Sequence, residues 1–135
     1  IGAWVLEEIG LLRRAHEAKQ RGDEELVVWG SGTPRREFLY VDDLAEACMM
    51  LAETGYDGGP LNIGCGDDLS IRELAEAVCD TVGYRGRLVF DASKPDGMPR
   101  KLLDSSRIGA LGWRPTVPLA EGLRRAYEAA PWRNS

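Results

Sequence analysis

Trp29 closes the β-prone run LVVWG, residues 26 to 30, and stands beside the glycine-rich turn GSGTP. An indole there offers a flat face against which a base or a sugar can lie. The alternative is a core aromatic, and composition alone leaves the two even. Arg36 follows Pro34 and Arg35. A guanidinium is a planar fork of donors that suits diphosphate oxygens better than a lysine point charge does. Arg35 reads as solvated or structural. Asp96 lies in Lys94-Pro95-Asp96-Gly97, a turn that can aim the carboxylate at ribose or base donors, or back at its own amides. Arg13 and Arg14 are neighbours on a helical stretch and point about 100° apart, so one site cannot take both; alone, the pair reads as a solvated helix face. Gly64-Cys65-Gly66 precedes a capped helix, where backbone amides can meet phosphate. A tight turn gives the same pattern, and Asp67 with Asp68 would repel an anion there.

The elements carrying these residues alternate between helical and strand periodicity. Val5, Ile9, Leu12 and Ala15 recur at helical spacing from Val5 to about Arg21, where Gly22 stops the pattern. LVVWG and EFLYV, residues 37 to 41, read as strands. Asp43 with Glu46 reads as a capping box that opens a helix ending near Gly55. LNIGC, residues 61 to 65, and RLVFD, residues 87 to 91, are further strands, and Ser70 with Glu73 forms a second capping box before Leu74, Ala75, Val78 and Val82. SKPDGMPRK should be irregular because of its prolines and glycine. Asp104 is expected to cap a short helix reaching Leu111, and Pro118 suits the first turn of a last helix running to about Ala129. The alternation predicts an α/β or α+β fold, a small sheet with flanking helices.

The 135 residues, 44% of them hydrophobic, fit a single domain over 1–135. Twenty-two acidic against 17 basic side chains give a net charge of −5, which argues against nucleic acid or an acidic membrane surface as a partner. Cys48, Cys65 and Cys79 are widely spaced and His16 is the sole histidine, so neither a disulfide framework nor a metal site is indicated. No apolar run approaches a bilayer span. An unsecreted cytoplasmic protein with reduced thiols is expected, and the lack of an initiating methionine suggests that the first residues are not a natural start.

VVWGSGTPRREFLYVDDLAEA, residues 27 to 47, resembles the substrate-domain segment of GDP-L-fucose synthases, within the extended short-chain dehydrogenase/reductase superfamily. NIGCGDDLSIRELAE, SKPDGMPRKLLDSSRIGALGWRP and LAEGLRRAYE resemble the same family in the same order, over roughly residues 11 to 128, whereas residues 1–10 do not match it. The resemblance implies the C-terminal, nucleotide-sugar-binding portion of an enzyme that epimerises two sugar carbons of GDP-4-keto-6-deoxy-mannose and reduces the ketone with NADPH. It further implies substrate contacts at Arg14, Trp29, Arg36 and Asp96, a GDP-sugar as ligand and a missing or separate Rossmann domain as partner; the face that domain would leave exposed predicts a homo-oligomer.

The catalytic equipment of that family does not map onto these residues. There is no G-x-x-G-x-x-G fingerprint, and no tyrosine is followed four positions later by lysine. Neither a cofactor-binding nor a catalytic residue is therefore expected in this chain. The family's acid/base histidine would fall near Leu6, its cysteine belongs to the missing half, and Tyr40 stands where the family commonly has histidine. Two other readings remain open: a stand-alone nucleotide-sugar-binding module, and a folded gene remnant.

Overall fold

The computed structural model describes residues 2–134, with side chains from Gly10 onward, so the expectation attached to Leu6 lies outside the described side chains. Helix α1 spans Gly2–Arg21. It buries Leu11, Leu12, Ala15 and Ala18 on one face and turns Arg13 and Arg14 to solvent. Gly22, at φ 69°, ends it. The amides of Gly22 and Asp23 return to the carbonyls of Lys19 and Ala18 at 3.2 and 2.9 Å, satisfying last-turn acceptors.

The chain then enters β1, Glu25–Trp29, which pairs in parallel with β4, Arg87–Asp91. Their register runs from Glu25 opposite Arg87 to Trp29 opposite Asp91. Between these strands come β2 (Arg35–Arg36), α2 (Val41–Thr54), β3 (Leu69–Ser70) and α3 (Ile71–Val82). After them follow β5 (Arg100–Lys101), α4 (Ser106–Ala110), α5 (Leu119–Ala129) and a 3-10 turn, Pro131–Asn134. The central strand of a second small sheet is β2, antiparallel to β3 and parallel to β5. This is a small α/β arrangement, as expected.

The main core joins α1, β1, α3 and α5 through Leu11, Leu12, Leu26, Val28, Leu74, Val78, Val82, Leu123 and Tyr127. A smaller core sets Ala47 of α2 against Ile108 of α4 and Trp113. The capping box at the start of α3 is present: the Glu73 amide donates to Ser70 Oγ at 3.1 Å and the Ser70 amide to Glu73 Oε1 at 3.2 Å.

Several expectations need correction. Residues 37–41 and 61–65 form no strand, because a strand requires a neighbour to close its hydrogen bonds and these stretches have none among the described residues. They still show strand-like packing: Phe38 lies against the main core, while Leu39, Leu61 and Ile63 lie against the smaller one. SKPDGMPRK was expected to be wholly irregular, yet Arg100–Lys101 joins β2. Asp104 does accept the Ser106 amide at 3.0 Å, although Ser105 occupies the cap position. Pro118 stands at the N-cap, just outside α5. Tyr40, which caps α2 without a side-chain bond, packs its ring against Gly122 of α5.

Asp43 is the largest departure. It does not cap α2, which begins at Val41. Its carboxylate is 1% exposed and accepts the Thr116 amide at 3.1 Å, the Thr116 hydroxyl at 3.0 Å and the Val117 amide at 2.9 Å. Burial pushes this carboxyl up, but those donors outweigh it and hold it below its ordinary range. The bonds are thus complete above the unfolded carboxylate pKa and are lost as pH falls through the lowered value. Hydrogen bonds to a buried charge are worth about 1.5–3 kcal/mol, so Asp43→Ala should cost about 3 kcal/mol in urea unfolding and flatten the acid limb of stability. An unchanged midpoint and acid limb would contradict this role.

Candidate functional site

Strand parity orients the tryptophan. Leu26 and Val28 point into the core, so Val27 and Trp29 point out, and the indole is 69% exposed. The core-aromatic alternative is therefore excluded. Lys94 Nζ lies 5.0 Å from the ring centroid.

The ladder continues one bond beyond Trp29, with the Gly30 amide donating to the Asp91 carbonyl at 2.9 Å. At Gly30, φ is 95°, and a Cβ there would lie 2.5 Å from Asp96 Oδ1. Glycine thus permits both the turn and the approach of Asp96. The Asp96 carboxylate accepts the Ser31 amide at 2.6 Å and the Ser31 hydroxyl at 2.7 Å. These two donors hold the Asp96 carboxyl below its ordinary range. The self-bonded turn considered from sequence is replaced by a tie between two loops distant in sequence.

Arg36 is buried on β2. Its Nη1 donates to the Arg35 carbonyl at 2.8 Å, and its Nη2 faces the turn at Gly97, where a Cβ would lie 3.7 Å away. Arg35 is structural: Nε donates to Asp68 Oδ1 at 3.0 Å and Nη2 to the Asp68 carbonyl at 3.1 Å. Arg100 Nε reaches the other Asp68 oxygen at 2.5 Å, so a buried carboxylate clamps β2 to its neighbours. Arg14 donates from Nη2 to the Val27 carbonyl on β1, while Arg13 turns away to Glu17 at 2.9 Å.

Trp29 thus ends β1, Asp96 is tied to Ser31 in the turn that follows it, and Arg36 faces Gly97 next to Asp96, with Arg14 bonded to β1 two residues before Trp29. Parallel strands characteristically place ligands beyond their carboxyl ends. Ser31 and Lys94 complete this cluster without having been singled out from sequence. Strand register and loop contacts, not local pattern, bring them in.

The Gly64-Cys65-Gly66 turn is a poor phosphate cradle. Glu37 Oε2 accepts the Gly66 amide at 2.8 Å, and the same carboxylate lies where a Gly64 Cβ would go. The other Gly-x-Gly, residues 30–32, already gives its central amide to Asp96. Neither turn fits a dinucleotide diphosphate. Burial pushes the Cys65 thiol up, and that of Cys79 up to about 11, so neither is a ready thiolate. Among the described residues no group of His, Cys, Asp and Glu is arranged to hold a metal, and no helix is long and apolar enough to cross a membrane. An open hollow of about 670 Å³ lies elsewhere, between Gly64–Gly66 and Leu102–Pro115, and includes none of the four site residues. Asp104, the one carboxylate in its lining, already accepts the Ser106 amide.

Comparison with known proteins gives a consistent relationship. Residues 9–64 match the NAD dependent epimerase/dehydratase family. The chain is 54% identical over 118 residues to GDP-L-fucose synthase 1 of Arabidopsis thaliana, covering 87% of this chain and 36% of that protein. Among solved structures, the GDP-mannoheptose C4 reductase MlghC of Campylobacter jejuni, with NADP bound, superposes with a TM-score of 0.80 at 34% identity, covering 95% of this chain and 44% of that one. A GDP-L-fucose synthetase from Naegleria fowleri bound to NADP gives 0.76 at 30% identity, covering 90% and 40%. The chain is thus homologous to GDP-L-fucose synthases over most of its residues, and it spans less than half the length of these relatives.

The Asp96–Ser31 tie yields a direct test. Gly30→Ala forces a side chain into the space of Asp96 Oδ1 at a φ that L-residues rarely adopt. It should release Asp96, whose carboxyl, followed by NMR titration, would rise into the ordinary range. A carboxyl that stays low in that variant would show that Ser31 is not what lowers it.

Proposed function

We propose that this chain is the GDP-sugar-binding, C-terminal portion of a GDP-L-fucose synthase-like epimerase-reductase, forming one domain over residues 1–135. In this reading the ligand is GDP-4-keto-6-deoxy-mannose or GDP-L-fucose, and NADPH chemistry belongs to a Rossmann half outside this chain. The observation that carries it is an exposed indole at the end of one parallel strand pair, with an oriented carboxylate tied to the turn that follows it.

Each residue has a role that its geometry supports. Trp29 offers its face to a base or sugar. Arg36 sets its guanidinium charge beside the Gly97 turn, where it can attract diphosphate oxygens. Asp96 keeps its charge, and its remaining lone pairs can accept ribose or base donors. Arg14 adds positive charge beside β1. These groups bind and orient; none is placed to move the protons or hydride of the overall reaction. Self-association is part of the same proposal.

Calorimetric titration of the chain with GDP-L-fucose should give saturable binding. Base stacking on an aromatic ring contributes about 1–3 kcal/mol, so Trp29→Ala should weaken binding roughly tenfold or more without loss of fold, because the indole is exposed. Mixed with NADPH and the keto-sugar, the chain should produce no oxidation. An absence of saturable binding, or measurable turnover, would overturn the proposal.

A further inference from the structure

Lys94 sits over Trp29 for reasons that begin in the ladder. The register sets Trp29 opposite Asp91, and the chain then turns tightly, with the Lys94 amide donating to the Asp91 carbonyl at 3.1 Å. The turn is fastened again by Asp91 Oδ1, which accepts the Ser93 amide at 3.1 Å and the Ser93 hydroxyl at 2.5 Å. The exposed lysine is thereby brought alongside β1, and its ammonium comes to rest 5.0 Å from the indole centroid.

The two acids nearest in sequence are already engaged, Asp91 with Ser93 and Asp96 with Ser31. Among the described residues Lys94 makes no ion pair with a carboxylate. Its cation rests instead on an aromatic face, an attraction that a solvated charge gives up readily. A base or sugar ring stacking on that face must displace the ammonium. The displaced group remains tethered by its turn at the edge of the indole, beside the turn that Arg36 faces.

We propose that Lys94 is a further ligand contact, exchanging the Trp29 face for the diphosphate of the incoming nucleotide-sugar. This rests on the reading of Trp29 as the stacking residue. In the absence of ligand, the Lys94 ammonium rests over one face of the indole; in the complex, it neutralises phosphate charge while Trp29 takes the flat ring. The specificity it adds is for the diphosphate, not for the base.

The test compares GDP with guanosine by tryptophan fluorescence, on the unaltered chain and on Lys94→Met, Lys94→Arg and Trp29→Ala. Charge-assisted hydrogen bonds are about twice as strong as neutral ones, so Lys94→Met should weaken GDP about tenfold and leave guanosine unchanged, while Lys94→Arg should retain GDP binding. Calorimetry replaces fluorescence for Trp29→Ala. If Lys94→Met binds GDP as the unaltered chain does, or weakens GDP and guanosine equally, the proposal fails. If Trp29→Ala loses GDP while Lys94→Met does not, it fails alone and the stacking reading survives. If neither substitution affects GDP, both readings fail.

Discussion

The parallel register of β1 with β4 sets Trp29 opposite Asp91, and the candidate site is assembled outward from that pairing. It delivers the indole to the end of the ladder, starts the tight turn that carries Lys94, and brings the loop containing Asp96 within bonding distance of Ser31. A parallel pair needs a long crossover between its strands. Here the crossover contains β2 and α3, so the same excursion that permits the pairing also supplies Arg36 and the helix that seals the core.

Three carboxylates then hold the excursion in place. Asp68 clamps β2 through Arg35 and Arg100. Asp43 fastens the start of α2 to residues 116–117, and Asp96 joins the two loops at the mouth of the site. For Asp43 and Asp68 burial pushes the carboxyl up, and hydrogen bonds or arginines outweigh it. A buried carboxylate stripped of its partners is costly, so the Asp43 and Asp68 ties favour one arrangement of the segments they span over nearby alternatives.

Local patterns were legible where the interaction itself is local. The Ser70–Glu73 capping box, the glycine stop at Gly22 and the β-prone runs at 26–30 and 87–91 all concern groups a few residues apart. Asp43 with Glu46 has the same local signature, but its carboxylate finds stronger partners across a separation of 73 residues. Residues 37–41 and 61–65 are β-prone, yet a ladder needs a second strand that no local pattern reveals. At the candidate site, residue type made Trp29, Arg36 and Asp96 chemically suitable, and the resemblance nominated all four, Arg14 included. Only the register could add Lys94 and Ser31, because their relevance lies in what faces them.

The central claim is that one nucleotide-sugar site sits at the end of β1. It is tested most directly by amide and indole NMR of the 15N-labelled chain during titration with GDP-L-fucose. The account requires the Trp29 indole N–H and the Ser31 and Gly97 amides to shift together along one saturation curve. Shifts confined to Gly64–Gly66 and the Trp113 indole, with Trp29 unmoved, would place the ligand in the other hollow and contradict it.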